Sequence, residues 1–310
     1  FRKENKSVIF ISHDLDEIME VCDTLTVLRD GKIIRTFEKA EFEAGAIRAS
    51  MIGRELQGDY YRSDFQASSQ PEVALDVRNL VYEDRLKGIS FQVHKGEIVG
   101  IGGLAHCGMH SLGKVCFGAL KPEEGSVTVE DGTIIDSPAI AMKKRVGYVS
   151  KDRDVESLCL NASIEDNISI AGMSEFAINN FLILKNREKK YVNHQIEELS
   201  IKCAGRDQSV SQLSGGNKQK VVFGKWIGCG SEILILDCPT RGVDIGVKQA
   251  MYQLMVRLKN EGKSILMISE ELPELIGMSD RILIMKNGEV SAEFERSETL
   301  SDAQIIEYMI

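Results

Sequence analysis

The run Ile233-Leu234-Ile235-Leu236-Asp237 constrains this chain most: an apolar strand that ends on an acid. Such a strand presents one carboxylate at its end, the kind of oxygen ligand a Mg²⁺ ion takes. Twenty residues before Ile233, Leu213-Ser214-Gly215-Gly216-Asn217-Lys218-Gln219-Lys220 reads as the opening of a helix. There the Ser214 hydroxyl and the bare backbone N–H groups of Gly215 and Gly216 face a phosphate-sized anion. A glycine-rich helix cap accounts for the second segment alone, but leaves the acid-ended strand beside it unexplained.

With 310 residues, 43% hydrophobic and 27% charged, the chain has room for a full core and more than one domain. A formal net charge of -9 argues against nucleic acid as a partner. No apolar run approaches the ~18 residues of a membrane helix, so membrane association is expected through a partner. No secretory leader is expected either. The seven cysteines show no paired CxxC spacing, which predicts free thiols in a reducing cytosol.

Ser7-Val8-Ile9-Phe10-Ile11-Ser12-His13 recurs, 257 residues later, as Ser264-Ile265-Leu266-Met267-Ile268-Ser269-Glu270. The correspondence continues without a gap, pairing Leu15 with Leu272, Glu17 with Glu274, Asp23 with Asp280 and Gly31 with Gly288. This repeat predicts the C-terminal end of a first domain over residues 1–56, a linker without apolar periodicity over 57–71, and a whole second domain over 72–310. Within the second domain, residues 73–77 and 89–93 alternate as antiparallel strands, and residues 97–102 read as a buried strand running into a glycine-rich turn and a helix. Residues 152–212 are mostly helical in pattern, with an amphipathic stretch over 189–199.

Together these segments resemble the ATP-binding cassettes of ABC-type ATPases. The resemblance implies an α/β P-loop fold with a mixed core sheet, an antiparallel β subdomain and a helical subdomain. Asp237 then ends the metal-binding strand, Leu213 to Gly216 form the signature, and Gly103-Leu104-Ala105-His106-Cys107-Gly108-Met109-His110-Ser111 is the phosphate loop. In such a loop glycines let backbone N–H groups wrap the phosphates, while a Lys and a Ser/Thr hydroxyl handle the outer phosphates and Mg²⁺. Here Gly103 and Gly108 keep the spacing, but Met109 replaces the Lys and His110 the hydroxyl. Ser111 comes one position late, turned ~100° around the helix. Three further positions depart: Cys238 stands where the family has the Glu that polarises water, Lys151 where it has a Gln, and Glu270 where it has a switch histidine. The expectation is ATP with Mg²⁺ as the family's cofactors, weak or absent at this domain's own site.

The resemblance also assigns intact parts to the opposite site, because such domains pair head to tail. His13 matches the switch histidine of the first domain, and Ser214, Gly215 and Gly216 cap the same γ-phosphate from across the interface. Asp244, in Pro239-Thr240-Arg241-Gly242-Val243-Asp244, counts with the nucleotide-binding residues. Asn217 in the signature, and the run from Ser269 to Leu275 followed by Met278-Ser279-Asp280-Arg281, are similar to the second half of the tandem ATP-binding subunits of monosaccharide importers. That family implies a first ABC domain in the same chain, transmembrane permease subunits, an indirect sugar-binding protein, no nucleic acid, and a peripheral place on the cytoplasmic face of a bacterial inner membrane. Cys238 departs even from that family, which keeps a Glu there. Two alternatives remain: a non-catalytic nucleotide-binding or regulatory module, and a soluble tandem protein acting on ribosomes or DNA. The second calls for two consensus sites and a basic arm, which the acidic balance and short linker disfavour.

Overall fold

Why the central strands form where they do is plain from burial: every residue of four of them is enclosed. The computed structural model describes residues 1–4, 6–12, 15–29, 31–52, 60–65, 68–178 and 182–310. They divide into two compact units, Phe1–Tyr60 with Val243–Ala250, and Tyr61–Gly242 with Met251–Ile310.

The smaller unit holds α1 (Leu15–Val21), the antiparallel hairpin β1 (Thr24–Arg29) and β2 (Lys32–Glu38), and α2 (Ala44–Ile52). Its core is Leu15, Val27, Phe37 and Ile47, joined by Ile245. The strand expected over residues 7–13 is not formed: residues 7–12 carry no regular structure, and Ile9 and Ile11 are more than nine-tenths exposed. Its counterpart at Ser264–Ile268 is flanked by a parallel neighbour on each side. Residues 7–12 pair with no strand among the described residues, and an isolated strand leaves its backbone groups and apolar side chains to water.

The larger unit begins with a segment docked on its own body rather than a free tether. Arg62 is buried; its guanidinium lies 2.9 Å from the Asp280 carboxylate and also pairs with Asp64. Asp280 in turn accepts from the Ile98 N–H at 2.8 Å and faces Lys259 at 3.0 Å. Residues 57–59, 66 and 67 of the expected linker lie outside the described residues. Next come β3 (Val73–Tyr82), β4 (Leu86–His94), β5 (Ile98–Gly103), α3 (Met109–Cys116), β6 (Glu124–Val129), α4 (Pro138–Lys143) and β7 (Val146–Val149). β3 lies between β4 and β6 in an antiparallel three-stranded sheet, as the alternation predicted.

The helical region follows: α5 (Ile164–Ser169), α6 (Met173–Phe176), the short strands β8 (Ala177–Ile178) and β9 (Leu182–Ile183), α7 (Lys185–Glu198) and α8 (Gly215–Gly228). Ser163 caps α5 by accepting from the Asp166 N–H while Asp166 reaches back to the Ser163 N–H, a reciprocal capping box. Along α7 and its end, Val192, Gln195 and Leu199 are buried at helical spacing, which gives the amphipathic face. The chain closes with β10 (Ile233–Asp237), α9 (Ile245–Asn260), β11 (Ser264–Ile268), α10 (Leu272–Met278), β12 (Arg281–Lys286), β13 (Glu289–Glu295) and α11 (Asp302–Met309).

The core sheet runs β13-β12-β5-β11-β10-β7. All pairs are parallel except β12 with β13, so the sheet is mixed. β5, β10 and β11 are buried at every position, the pattern of strands covered on both faces, whereas β13 alternates along the edge. No helix among the described residues is long and apolar enough to cross a membrane. The C-terminal ends of β5, β7, β10 and β11 open onto the loops that carry the candidate site.

Candidate functional site

The loop from β5 to α3 has the shape of an anion cradle. Gly108 sits at φ +103°, where L side chains are strained, and a Cβ there would fall 2.1 Å from the Arg85 carbonyl oxygen. Only glycine closes this turn. A Cβ on Gly103 would likewise strike the Met285 carbonyl. α3 then begins at Met109, which is 1% exposed and offers nothing to a ligand in the loop. Ser111 is buried and faces away to Arg85, whose Nη1 donates to its Oγ at 3.4 Å.

His110, between them, is aimed at the end of β10. Its Nδ1 lies 2.7 Å from Asp237 Oδ1, and the second carboxylate oxygen accepts from Tyr148 Oη at 3.2 Å. Asp237 is fully buried, so these two donors replace the water it would otherwise hold. On the other side of the imidazole, Lys151 Nζ lies 3.0 Å from His110 Nε2 and 2.6 Å from Glu270 Oε1. An ammonium only donates, so Nε2 accepts and Nδ1 carries the proton given to Asp237. The Lys151 hydrogen bond holds the Glu270 carboxyl below its ordinary value of 4.5. Burial, reinforced by the Asp237 charge, pushes the Tyr148 phenol well above its usual range.

Cys238 follows Asp237 with φ +50°, its N–H donating to the Ile268 carbonyl at 2.8 Å. Burial first, then the neighbouring Asp237, raise its thiol far above the ordinary cysteine value. A neutral, enclosed thiol does not act as a general base.

These residues do not fit a Mg²⁺–triphosphate. Mg²⁺ needs a near-octahedral shell of oxygens. Here the Asp237 carboxylate is engaged by His110 and Tyr148, an imidazole stands at the hydroxyl position, and a lysine ammonium faces the same imidazole. Glu270 adds a second carboxylate, paired with that ammonium at 2.6 Å.

Ser214 is the N-cap of α8, its Oγ accepting from the Asn217 side-chain amide at 2.9 Å, and it is exposed. A side chain at Gly215 would be tight, since a Cβ would lie 3.0 Å from Arg153 Nη2 and 3.1 Å from the Gly242 carbonyl. Gly216 is buried in the first turn. Asp244, in the smaller unit, accepts from the Val247 N–H at 3.1 Å and so caps α9. His13 lies outside the described residues.

Met109, His110, Ser111, Lys151, Asp237, Cys238 and Glu270 thus meet around one loop, while Ser214 to Gly216 serve a separate helix start. Three contributors escape sequence reasoning. Tyr148, on β7, is Asp237's second donor. Arg153, two residues beyond Lys151, donates to the Arg241 carbonyl at 2.7 Å and the Gly242 carbonyl at 3.3 Å. Buried Glu274 accepts from Thr240 Oγ1 at 2.6 Å and from Ser269 Oγ, tying the segment after β10 to the segment after β11. The strand position of Tyr148, in register with Ile235 and two residues short of Asp237, was the one available signal.

Residues 86–241 match the family described as ABC transporter. A ribose import ATP-binding protein RbsA of Clostridium tetani is 37% identical over 310 residues, covering all of this chain and 61% of the relative. The RbsA of Bacillus subtilis is 38% identical over 302 residues, covering 97% of the chain and 60% of the relative, and that of Streptococcus agalactiae is 40% identical over 298 residues, covering 96% and 60%. The chain therefore spans about three fifths of the length of these relatives. Among solved structures, a nucleotide-free ATP-binding cassette from an ABC transporter superposes with TM-score 0.63 at 24% identity, covering 77% of this chain and 99% of that one. The cbiO1 protein of Clostridium perfringens, part of the ABC transporter complex cbiONQ, gives 0.62 at 26% identity, covering 76% and 94%.

Proposed function

The chain belongs to the ABC transporter family, and from that premise we propose that it is the C-terminal part of the tandem ATP-binding subunit of a monosaccharide importer. In this reading the second domain does not hydrolyse ATP in its own pocket. It completes the site of the first domain by presenting Ser214, Gly215 and Gly216 to a nucleotide held by residues upstream, with His13 on the first domain's side of the same γ-phosphate. The parent protein works with transmembrane permease subunits and, indirectly, a sugar-binding protein, on the cytoplasmic face of the bacterial inner membrane. Closure around ATP drives the permease, because nucleotide binds the closed pair better than the open one.

The observation that carries this reading is the contrast between two anion cradles. The loop of β5 is answered by the chain's own side chains, His110 on Asp237 and Lys151 on Glu270. The start of α8 keeps an exposed Ser214 and a side-chain-free Gly215. The names of the relatives support ribose-type cargo.

The test is made in the full-length protein with its permease. Ser214→Arg abolishes transport-coupled ATP hydrolysis, His13→Ala does the same, and the two together cost no more than either alone. Asp237→Asn leaves turnover near the unmodified rate. Turnover lost with Asp237→Asn and retained with Ser214→Arg reverses the assignment.

A further inference from the structure

The departures from the family pattern leave three donor atoms of different chemistry beside one another. The ligating atoms of His110, Asp237 and Cys238 all lie within 4.8 Å of one another. Donors around a tetrahedral cation with bonds of ~2.0 to 2.3 Å stand roughly 3.3 to 3.7 Å apart. The widest pair therefore closes by at most about 1.5 Å, while His110 Nδ1 and Asp237 Oδ1, now 2.7 Å apart, open by about 0.6 to 1.0 Å. We propose that His110 Nδ1, Asp237 Oδ1 and Cys238 Sγ form a transition-metal site, with Zn²⁺ as the fitting ion and the fourth position open to solvent. This goes beyond the transport reading and stands on the geometry alone.

Four features support it. An imidazole, a carboxylate and a thiol make a mixed nitrogen, oxygen and sulfur set, which suits Zn²⁺ and disfavours Mg²⁺. Tyr148 Oη donates to Asp237 Oδ2 and fixes the carboxylate plane, while Oδ1, which accepts from His110 Nδ1 in the metal-free state, exchanges that proton for the metal. Glu270 Oε1 lies 3.4 Å from His110 Nε2, placed to accept its proton and orient the ring, as metal-bound imidazoles require. Finally, the His110 side chain is 29% exposed, whereas Asp237 and Cys238 are enclosed, so the ion enters along the imidazole and its fourth position faces that same side.

Binding conserves atoms and charge as follows. The Cys238 S–H proton leaves to solvent as the Zn–S bond forms. The imidazole proton moves from Nδ1 to Nε2, where Glu270 replaces Asp237 as its acceptor, and Nδ1 bonds the metal. One proton is released per ion. Lys151 gives up His110 and keeps Glu270. The thiolate and Asp237 neutralise the dication, but Asp237 was charged beforehand, so binding adds one positive charge beside the Lys151 ammonium, which opposes it.

Titrating the whole chain with Co²⁺ as a spectroscopic stand-in, followed by Zn²⁺ competition, tests the site. The expected result is one equivalent bound, a thiolate-to-cobalt charge-transfer band in the near ultraviolet, its loss on adding Zn²⁺, and one proton released per ion. Cys238→Ser removes the band, and His110→Ala weakens binding at least roughly tenfold. Glu270→Gln weakens it by about 10- to 100-fold, the usual cost of losing the group that orients a ligating imidazole. Lys151→Met strengthens binding by removing the adjacent cation. Cys159→Ser and Cys203→Ser, at the more accessible thiols, change nothing. The fluorescence of Trp226 verifies that each variant is folded. No charge-transfer band in the unmodified chain overturns the proposal, as does a band that survives Cys238→Ser or affinity unchanged in folded His110→Ala.

Discussion

Replacing His110 with Ala tests whether the pocket is held shut by its own residues. The substitution removes the donor 2.7 Å from Asp237 Oδ1 and leaves a buried carboxylate with the Tyr148 phenol at 3.2 Å. A hydrogen bond to a charged group contributes about 1.5–3 kcal/mol, against about 0.5–1.5 for a typical neutral donor. Because the His110 side chain is 29% exposed, water reaches the vacated space and recovers part of the loss, leaving about 1–2 kcal/mol. For a unit of this size 1 kcal/mol moves the midpoint by about 2–4 °C, so His110→Ala lowers Tm by roughly 2–8 °C. Asp237→Asn keeps an acceptor for Nδ1 and removes the buried charge, so it costs less. Combined with His110→Ala, the same Asn substitution restores stability, since the orphaned group is then neutral. The chain's single tryptophan reports the melt. Trp226 packs edge-on to Phe117 at 5.6 Å, and Phe117 stacks on Tyr148 at 5.4 Å. If Asp237→Asn costs more than His110→Ala, or fails to rescue it, the pairing of these two residues is not what satisfies the carboxylate.

Gly215→Ala crowds Arg153 and the Gly242 carbonyl, because the added methyl sits 3.0 Å from the guanidinium and 3.1 Å from that carbonyl; ATP turnover of the full-length protein falls while the Trp226 melt moves little. The segment around Arg62 loosens in acid. Hydrogen bonding to Arg62 holds the Asp64 carboxyl below its ordinary 3.8, so its stabilisation is fully present above that value and is lost as pH falls through the depressed one. Cleavage near Phe65 by pepsin, which is active in acid, accelerates over that window, and Arg62→Met gives faster amide hydrogen exchange in the segment at neutral pH. Met109→Lys with Cys238→Glu raises nucleotide affinity at most, measured by equilibrium binding, and yields no turnover, because Lys151 and Glu270 still occupy the phosphate side. Turnover in that double variant would show that those two residues do not obstruct the site.

The parts of the fold set by continuous burial were legible in the chain. β5, β10 and β11 announce themselves as unbroken apolar runs, β3 and β4 as alternation, and Gly108 as a turn that a Cβ would block. Residues 7–12 carry an equally clear strand pattern and form none, because a pattern states which face is to be buried and not whether neighbours are present to bury it. The site was legible only as losses. Met109, His110, Lys151, Cys238 and Glu270 each read as a missing family residue, since sequence compares one position at a time. In space His110 answers Asp237 across 127 positions, and Lys151 answers Glu270 across 119. Complementary charges at that separation leave no periodicity to detect, and the same holds for Arg153 reaching the carbonyls of Arg241 and Gly242. The Asp237–Cys238 corner, next to an imidazole, gains its metal-ligand character from that convergence.

Phosphate release by the purified 310-residue chain in saturating Mg–ATP bears most directly on the self-closed pocket. The predicted rate is that of the buffer, and it is the same for the unmodified chain and for Asp237→Asn. Turnover above background that Asp237→Asn abolishes would contradict it, showing that His110 and Lys151 yield to nucleotide and that this domain is a motor in its own right.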